Sequence, residues 1–449
     1  MPAVYPFRAV RYALPGSPAD LSALVAPPYD VLDRAGRDAL VARSGQNIVT
    51  VDLPHIPAKE LGPPEAYANA AATLKSLMTS GTLKQDDRAT ISVYRQTFRS
   101  DGVQVQRVGV WCTLDVQEFG RRPGGGILPH EQTFSGPKED RMALLRATGV
   151  QLSPIFGLHE DAAGKASAVA RGVCQSRGAD ATARTDDGTF HELWRVEDPA
   201  VIGAYQQALE GEDVFIADGH HRYTTGLNRL RERLAAGEQL APDAQGRRCM
   251  FVLVSMADPG LVIWPTHRVL GGMSGYSWES LLGALEADVQ VRPVSGDVAS
   301  VDAALAKAAD LGEMRFGLFD FATGQGAVAA PKSGDPLGTM FPDKPMAWRT
   351  LLVAWIQHHL VERIAQPKLN GGKPVKWAFP HTVAETAAIG AGAETGAGGG
   401  DRFAQVAVLV RPTPLSAVRE ISRAGELMPQ KSTFFYPKLA TGMCLHPIA

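Results

Sequence analysis

Val214-Phe215-Ile216-Ala217-Asp218-Gly219-His220-His221-Arg222-Tyr223 is the stretch on which the reading of this chain turns. Val214, Phe215 and Ile216 are the apolar run of a short buried strand. Asp-Gly breaks that run, and Tyr223 to Leu230 resumes at helical spacing. A strand that turns through glycine into a helix presents backbone N–H groups at the positive end of the helix dipole, where anions bind. An acid, two imidazoles and a guanidinium crowd this turn. The plainer alternative makes Asp218 a helix cap and the histidines ordinary turn residues. The arginine and the strand–turn–helix context favour a phosphate site.

Working outward, 449 residues exceed what one core usually supports, so two domains are expected. An apolar fraction of 45% and a charged fraction of 20% are those of a folded soluble protein. With 45 basic and 47 acidic residues there is no global field to draw nucleic acid or an anionic membrane, which makes nucleic-acid binding an unfavoured expectation. Cys112, Cys174, Cys249 and Cys444 are widely spaced, with neither a zinc nor a disulfide pattern. They suit a reducing compartment. No signal segment is visible at Met1 to Arg8 and no apolar run reaches the ~20 residues of a membrane span, so a cytoplasmic location is expected.

The pattern predicts an α/β (α+β) chain with many antiparallel neighbours. An amphipathic helix is expected over 65–80, and strands over 89–98 and 103–114 form a hairpin across Ser100-Asp101-Gly102. Further strands are expected at 150–158 and 190–196. Residues 248–256 and 260–264 are expected to pair with each other. Gly271-Gly272-Met273-Ser274-Gly275 reads as a joint, giving domains 1–275 and 276–449, the second smaller and also α/β. Gly396 to Gly400 reads as a flexible loop. Thr413 is expected to cap a helix with Pro414 at its first position.

Three further segments carry charge in suggestive patterns. In Leu128-Pro129-His130-Glu131-Gln132-Thr133-Phe134-Ser135-Gly136-Pro137-Lys138, Pro137 suits the first turn of a helix capped by Ser135 or Gly136. Lys138 at such a start opposes the dipole unless an anion sits there; the other reading is a solvated lysine offset by Glu139 and Asp140. Met428-Pro429-Gln430-Lys431-Ser432-Thr433-Phe434-Phe435-Tyr436-Pro437-Lys438 either clamps a phosphorylated ligand or packs its aromatics as a terminal strand. Pro265-Thr266-His267-Arg268 adds a cationic pair that is either part of a phosphate pocket or plain surface. Ala26-Pro27-Pro28-Tyr29-Asp30 should hold Tyr29 and Asp30 rigidly. Walker, nucleophile-elbow and zincin motifs are absent.

Several of these blocks together resemble one bacterial and archaeal family, the domain of unknown function 1015. The resemblance is carried by Pro6-Phe7-Arg8-Ala9, Ala26 to Val31, Leu128 to Thr133, Gly136 to Arg141, Ala217 to Tyr223, Pro265 to Arg268 and Met428 to Thr433, in order and nearly end to end. Asp-Gly-His-His-Arg further resembles the phosphate turn of the ParB/sulfiredoxin superfamily. That implies a ParB/sulfiredoxin-like first domain. Among its members, the free serine kinases phosphorylate L-serine with a nucleotide (ATP or ADP) and Mg²⁺. Similarity to them implies Asp218 as a catalytic or metal-linked acid, with His220 beside it in the catalytic set and Gly219, His221 and Arg222 on phosphate. Glu131 is chosen as the base, and His130, Lys138, Arg268 and Lys431 are grouped with the phosphate ligands; no residue is assigned to metal alone.

The expected activity is phosphoryl transfer to a small metabolite, most concretely free L-serine. The alternatives are a phosphoserine phosphatase and a ParB-like nucleotide-binding switch without turnover. Sulfiredoxin chemistry needs a cysteine by the turn, where this chain has Gly219. The blocks are expected to line one pocket, with Lys431 and Lys438 reaching its mouth from the second domain.

Overall fold

The computed structural model describes residues 2–132, 135–395 and 398–448. The chain divides into two units. The first comprises Met1–Pro129, Thr133–Val262 and Pro437–Ala449; the second comprises His130–Gln132 and Ile263–Tyr436. Thr133, in the expected site block, and Gly396, in the expected loop, lie outside the described residues.

Unit 1 is built on a ten-stranded mixed sheet. Its strands are β1 (Val4–Tyr5), β2 (Ala19–Asp20), β3 (Ile91–Ser100), β4 (Val103–Asp115), β5 (Ile127–Leu128), β6 (Ile155–His159), β7 (Ala181–Arg184), β8 (Phe190–Val196), β9 (Val214–Asp218) and β10 (Arg248–Ser255). Their order is β2-β7-β8-β3-β4-β10-β6-β9-β5, with β1 on β4. The β3–β4 hairpin forms where Asp101-Gly102 predicts it, with both residues at positive φ. Three helices matter for the site: α1 (Pro64–Thr79), α2 (Ser135–Thr148) and α3 (His220–Ala235).

β10 does not pair with residues 260–264 as expected. All eight of its residues are buried, a pattern that demands the sheet centre, and it lies between β4 and β6. Val262–Trp264 pairs instead with Phe434–Tyr436.

Unit 2 carries a six-stranded sheet of β11 (Arg268–Gly271), β12 (Val289–Val294), β13 (Phe316–Asp320), β14 (Gly326–Pro331), β15 (Lys376–Ala378) and β16 (Ala404–Val410), ordered β12-β14-β13-β16-β11-β15. β11 ends on the first glycine of the run and β12 follows the run in the same sheet, so the run at 271–275 is no joint. Gly271 is there for close packing: a Cβ at this position would lie 1.8 Å from the Phe403 carbonyl oxygen. The expected cap at Thr413 also shifts. Pro414 takes the cap position of the helix Leu415–Arg423, and Thr413 Oγ1 donates to Ser432 O at 2.6 Å. Among the described residues no helix is long and apolar enough to cross a membrane.

Candidate functional site

β9 runs buried from Val214 and ends at Asp218; Gly219 turns the chain at φ +94° and α3 begins at His220. A glycine suits this cap because the left-handed backbone is strained for other residues, and a Cβ would lie 3.1 Å from the Arg222 guanidinium carbon. α3 is fixed to the sheet through its buried residues His220, Tyr223, Leu227 and Leu230, at helical spacing. Tyr223 lies against Phe119 and Phe251, and its hydroxyl donates to Gln117 O at 2.7 Å. The strand and helix therefore hold the turn between them from both ends.

Asp218 is the hub of the turn. Its Oδ2 pairs with Arg222 Nη2, four residues on, and its Oδ1 lies 2.6 Å from Lys438 Nζ. Arg222 Nη1 also donates to Pro154 O. Burial alone would raise the Asp218 pKa. Lys438 and Arg222 overcome it and hold the carboxyl well below the usual carboxylate range.

His221 is pushed down to about 4 by burial; the Asp30 charge opposes this and the Arg222 and Lys138 charges add to it. It is neutral at pH 7, a hydrogen-bonding group more than a charge. Its ligand-free imidazole should titrate near pH 4 by NMR, with no inflection between pH 5.5 and 8. The sign follows from linkage: the unfolded chain, near 6.5, binds the proton more readily, so His221 costs stability as pH falls from about 6.5 toward 4.

Lys138 stands in the first turn of α2, whose start at Ser135 puts Pro137 in that turn as expected. Asp30 comes from a single helical turn, Tyr29–Val31, that follows the two prolines. Tyr29 is buried under the Arg141 guanidinium, 3.9 Å from the ring centre. Arg141 in turn donates to Asp52 O at 2.7 Å and pairs with Asp140 at 2.7 Å. Asp140 also pairs with His55 at 2.8 Å. This buried ionic layer stiffens the segment that presents Asp30. A small cavity of about 50 Å³ lies among Tyr29, Asp52, Arg141, Ser153, Arg222 and Thr225, sized for water rather than a metabolite. Asp30 Oδ1 is buried and lacks a hydrogen-bond partner among the described residues.

The remaining sequence-chosen residues belong to unit 2 and form a clamp on one loop. Glu131 Oε1 accepts from Lys431 N at 3.1 Å, and Arg268 Nη2 donates to Lys431 O at 3.1 Å. Lys431 itself is at φ +61°, unusual for a non-glycine residue, and its side chain is exposed. Burial draws Arg268 down to about 10, opposed by the Glu131 charge. His130 is fully buried, with Nε2 2.9 Å from Thr433 Oγ1. Asp218, Gly219, His220, His221, Arg222 and Lys138 thus stand in unit 1, and His130, Glu131, Arg268 and Lys431 in unit 2. Sequence reasoning gave no role to Asp30 and did not foresee that Lys438 belongs to unit 1. The only signals for them were the rigid Pro-Pro-Tyr-Asp run and a lysine after a proline.

Among solved structures, a mutant of a free serine kinase in complex with ADP is similar at TM-score 0.33 and 12% identity, covering 73% of this chain and 96% of that one. A conserved hypothetical protein from Pyrococcus furiosus gives TM-score 0.33 at 13% identity, covering 74% and 95%. SbnI with C-terminal truncation from Staphylococcus aureus gives 0.34 at 10% identity, covering 75% and 87%. No curated protein matches the chain in sequence. The family model described as "Protein of unknown function (DUF1015)" matches residues 4–351, most of the chain, and takes in the Pro-Pro-Tyr-Asp run, the Lys138 helix and the Asp218 turn; the chain belongs to that family.

Proposed function

We propose that this protein transfers a phosphoryl group to a small hydroxylated metabolite, most concretely from a nucleotide to free L-serine, on a ParB/sulfiredoxin-like turn. The observation that carries the reading is the Asp218–Arg222 turn: a helix start entered through a left-handed glycine, with Arg222 and Lys438 fixed on one carboxylate and the Lys138 charge acting on His221. The choice of serine rests on the sequence resemblance of Asp-Gly-His-His-Arg to the free serine kinases.

The residues fit a polyphosphate. The Gly219 backbone and the N-terminus of α3 favour negative charge, Arg222 offers a planar fork, and neutral His221 can donate a hydrogen bond. Lys138 would add long-range attraction. The nucleotide, when bound, supplies the phosphoryl group. A protein-held Mg²⁺ fits poorly, since Asp218 has both oxygens on cations. Among the described residues, moreover, no cluster of three or more His, Cys, Asp or Glu could hold a metal ion.

Asp218, kept ionised by two cations, is also a weak base. Asp30 is the acid placed to accept a proton, with a buried oxygen that has no hydrogen-bond partner among the described residues and a charge that acts on His221. Asp218 instead holds Arg222 and Lys438 in place, and Asp30 accepts the hydroxyl proton of the acceptor.

Purified protein incubated with Mg²⁺, ATP or ADP, and L-serine should yield phosphoserine by mass spectrometry. Asp30→Asn should lower that turnover about 100-fold, on the scale of general-base catalysis, with ADP affinity within about threefold of wild type. Release of phosphate from added phosphoserine without nucleotide would replace the kinase by a phosphatase. ADP binding with no turnover of any donor would leave a nucleotide switch.

A further inference from the structure

Lys438 lies outside residues 4–351, in the last stretch of chain, which belongs to unit 1 after the long excursion through unit 2. Its main chain is held there by two polar side chains of the central hairpin. Gln96 on β3 and Arg107 on β4 are directly paired in register. Gln96 Nε2 donates to Lys438 O at 2.9 Å, and Arg107 Nη2 donates to Pro437 O at 2.5 Å. Arg107 Nε also donates to Gln96 Oε1 at 3.2 Å, which fixes the amide with its N–H₂ toward Lys438. The guanidinium is buried, 4.7 Å over the Phe156 ring, and Ala440 N, two residues further along, donates to Tyr94 OH at 3.3 Å.

Burying a guanidinium and an amide is costly unless their hydrogen bonds are made, and here they are made both to each other and to the main chain of Pro437 and Lys438. The result is that one lysine, only 15% exposed, has its Nζ set 2.6 Å from Asp218. Anchoring the main chain on both sides of the residue helps to preorganise a flexible four-carbon side chain.

We infer that Lys438 is a phosphate-binding residue of the Asp218 turn and that Gln96 and Arg107 are positioning residues that hold it there. The inference rests on the phosphate reading of the turn. It goes beyond it in making the site depend on Lys438 and on a buried pair, both far from the turn in sequence.

The test is calorimetric titration of ADP into the full chain. Lys438→Met keeps the length and removes the charge; it should weaken ADP at least tenfold, and Lys438→Arg should recover most of the loss. Gln96→Glu keeps the acceptor for Arg107 but deletes the donor to Lys438 O, and should weaken ADP several-fold. In a Lys438→Met background the same change should cost nothing further, because the lysine it positions is gone. Lys438→Met binding ADP within twofold of wild type overturns the inference alone. An additive loss from Gln96→Glu in both backgrounds overturns the positioning role. A wild-type protein that binds no ADP removes the phosphate reading and this inference together. Thermal melts on each variant separate unfolding from loss of the site.

Discussion

Arg222→Ala is expected to weaken ADP binding by about 100-fold or more, roughly 3 kcal/mol, the largest binding effect of any single change in the turn. Arg222 is pre-set for an anion in three ways. It lies four residues after Asp218, the last residue of β9, and the Gly219 turn brings the two side chains together. One nitrogen of its fork is taken by Asp218 and another by the Pro154 carbonyl, leaving the plane of the guanidinium fixed. With a side chain only 11% exposed, it loses little freedom when a phosphate arrives. Lysine at this position supplies the charge without the fork, so Arg222→Lys should recover only part of the affinity. Calorimetry with ADP, alongside a thermal melt, checks the prediction. An alanine variant that binds within threefold of wild type would show that the turn is a helix cap and no more.

The turn was legible in the sequence because everything that makes it is local. Three apolar residues make a strand, a glycine supplies the left-handed cap, and Tyr223, Leu227 and Leu230 set the helix phase that buries His220. The hairpin at Asp101-Gly102 was legible for the same reason. The misreadings came where distant chain decides. The glycines at 271–275 looked like a linker, yet Gly271 is required by the close approach of Phe403 within one sheet. Glu131, chosen because its block carries it beside His130, and Arg268, read as either pocket or surface, both bond to the main chain of Lys431, a contact that their own segments do not announce. Lys431 and Lys438 read as one cationic segment, but the unit boundary falls between them at Tyr436 and Pro437. Lys438 meets Asp218 across 220 residues, and Gln96 and Arg107 sit in strands whose alternation gives no hint of a polar clamp. No window of local sequence contains such pairings.

Asp218→Asn should separate stability from binding. Asparagine keeps the shape of the side chain but removes the carboxylate charge that Arg222 and Lys438, both largely buried, share. Breaking a buried pair from one side costs about 3 kcal/mol, and this variant should lose stability on that order at pH 7. Phosphate affinity should move the other way: with the carboxylate gone, the ligand no longer competes with it for the two cations, and ADP should bind as well as before or several-fold more tightly. Turnover should fall, because the carboxylate that fixes the two cations in relation to each other has been removed.

The pH dependence distinguishes this from a lost helix cap. The Asp218 carboxyl has a folded-state pKa below its unfolded value near 3.8, so its contribution is present above about pH 4 and disappears as pH falls through the lower folded value. Wild type and variant should therefore differ fully in urea melts at pH 7 and progressively less below pH 4. A difference that stays constant down to pH 3 would mean the carboxylate charge does not hold this turn. In that case the two cations beside it would need another reason to be there.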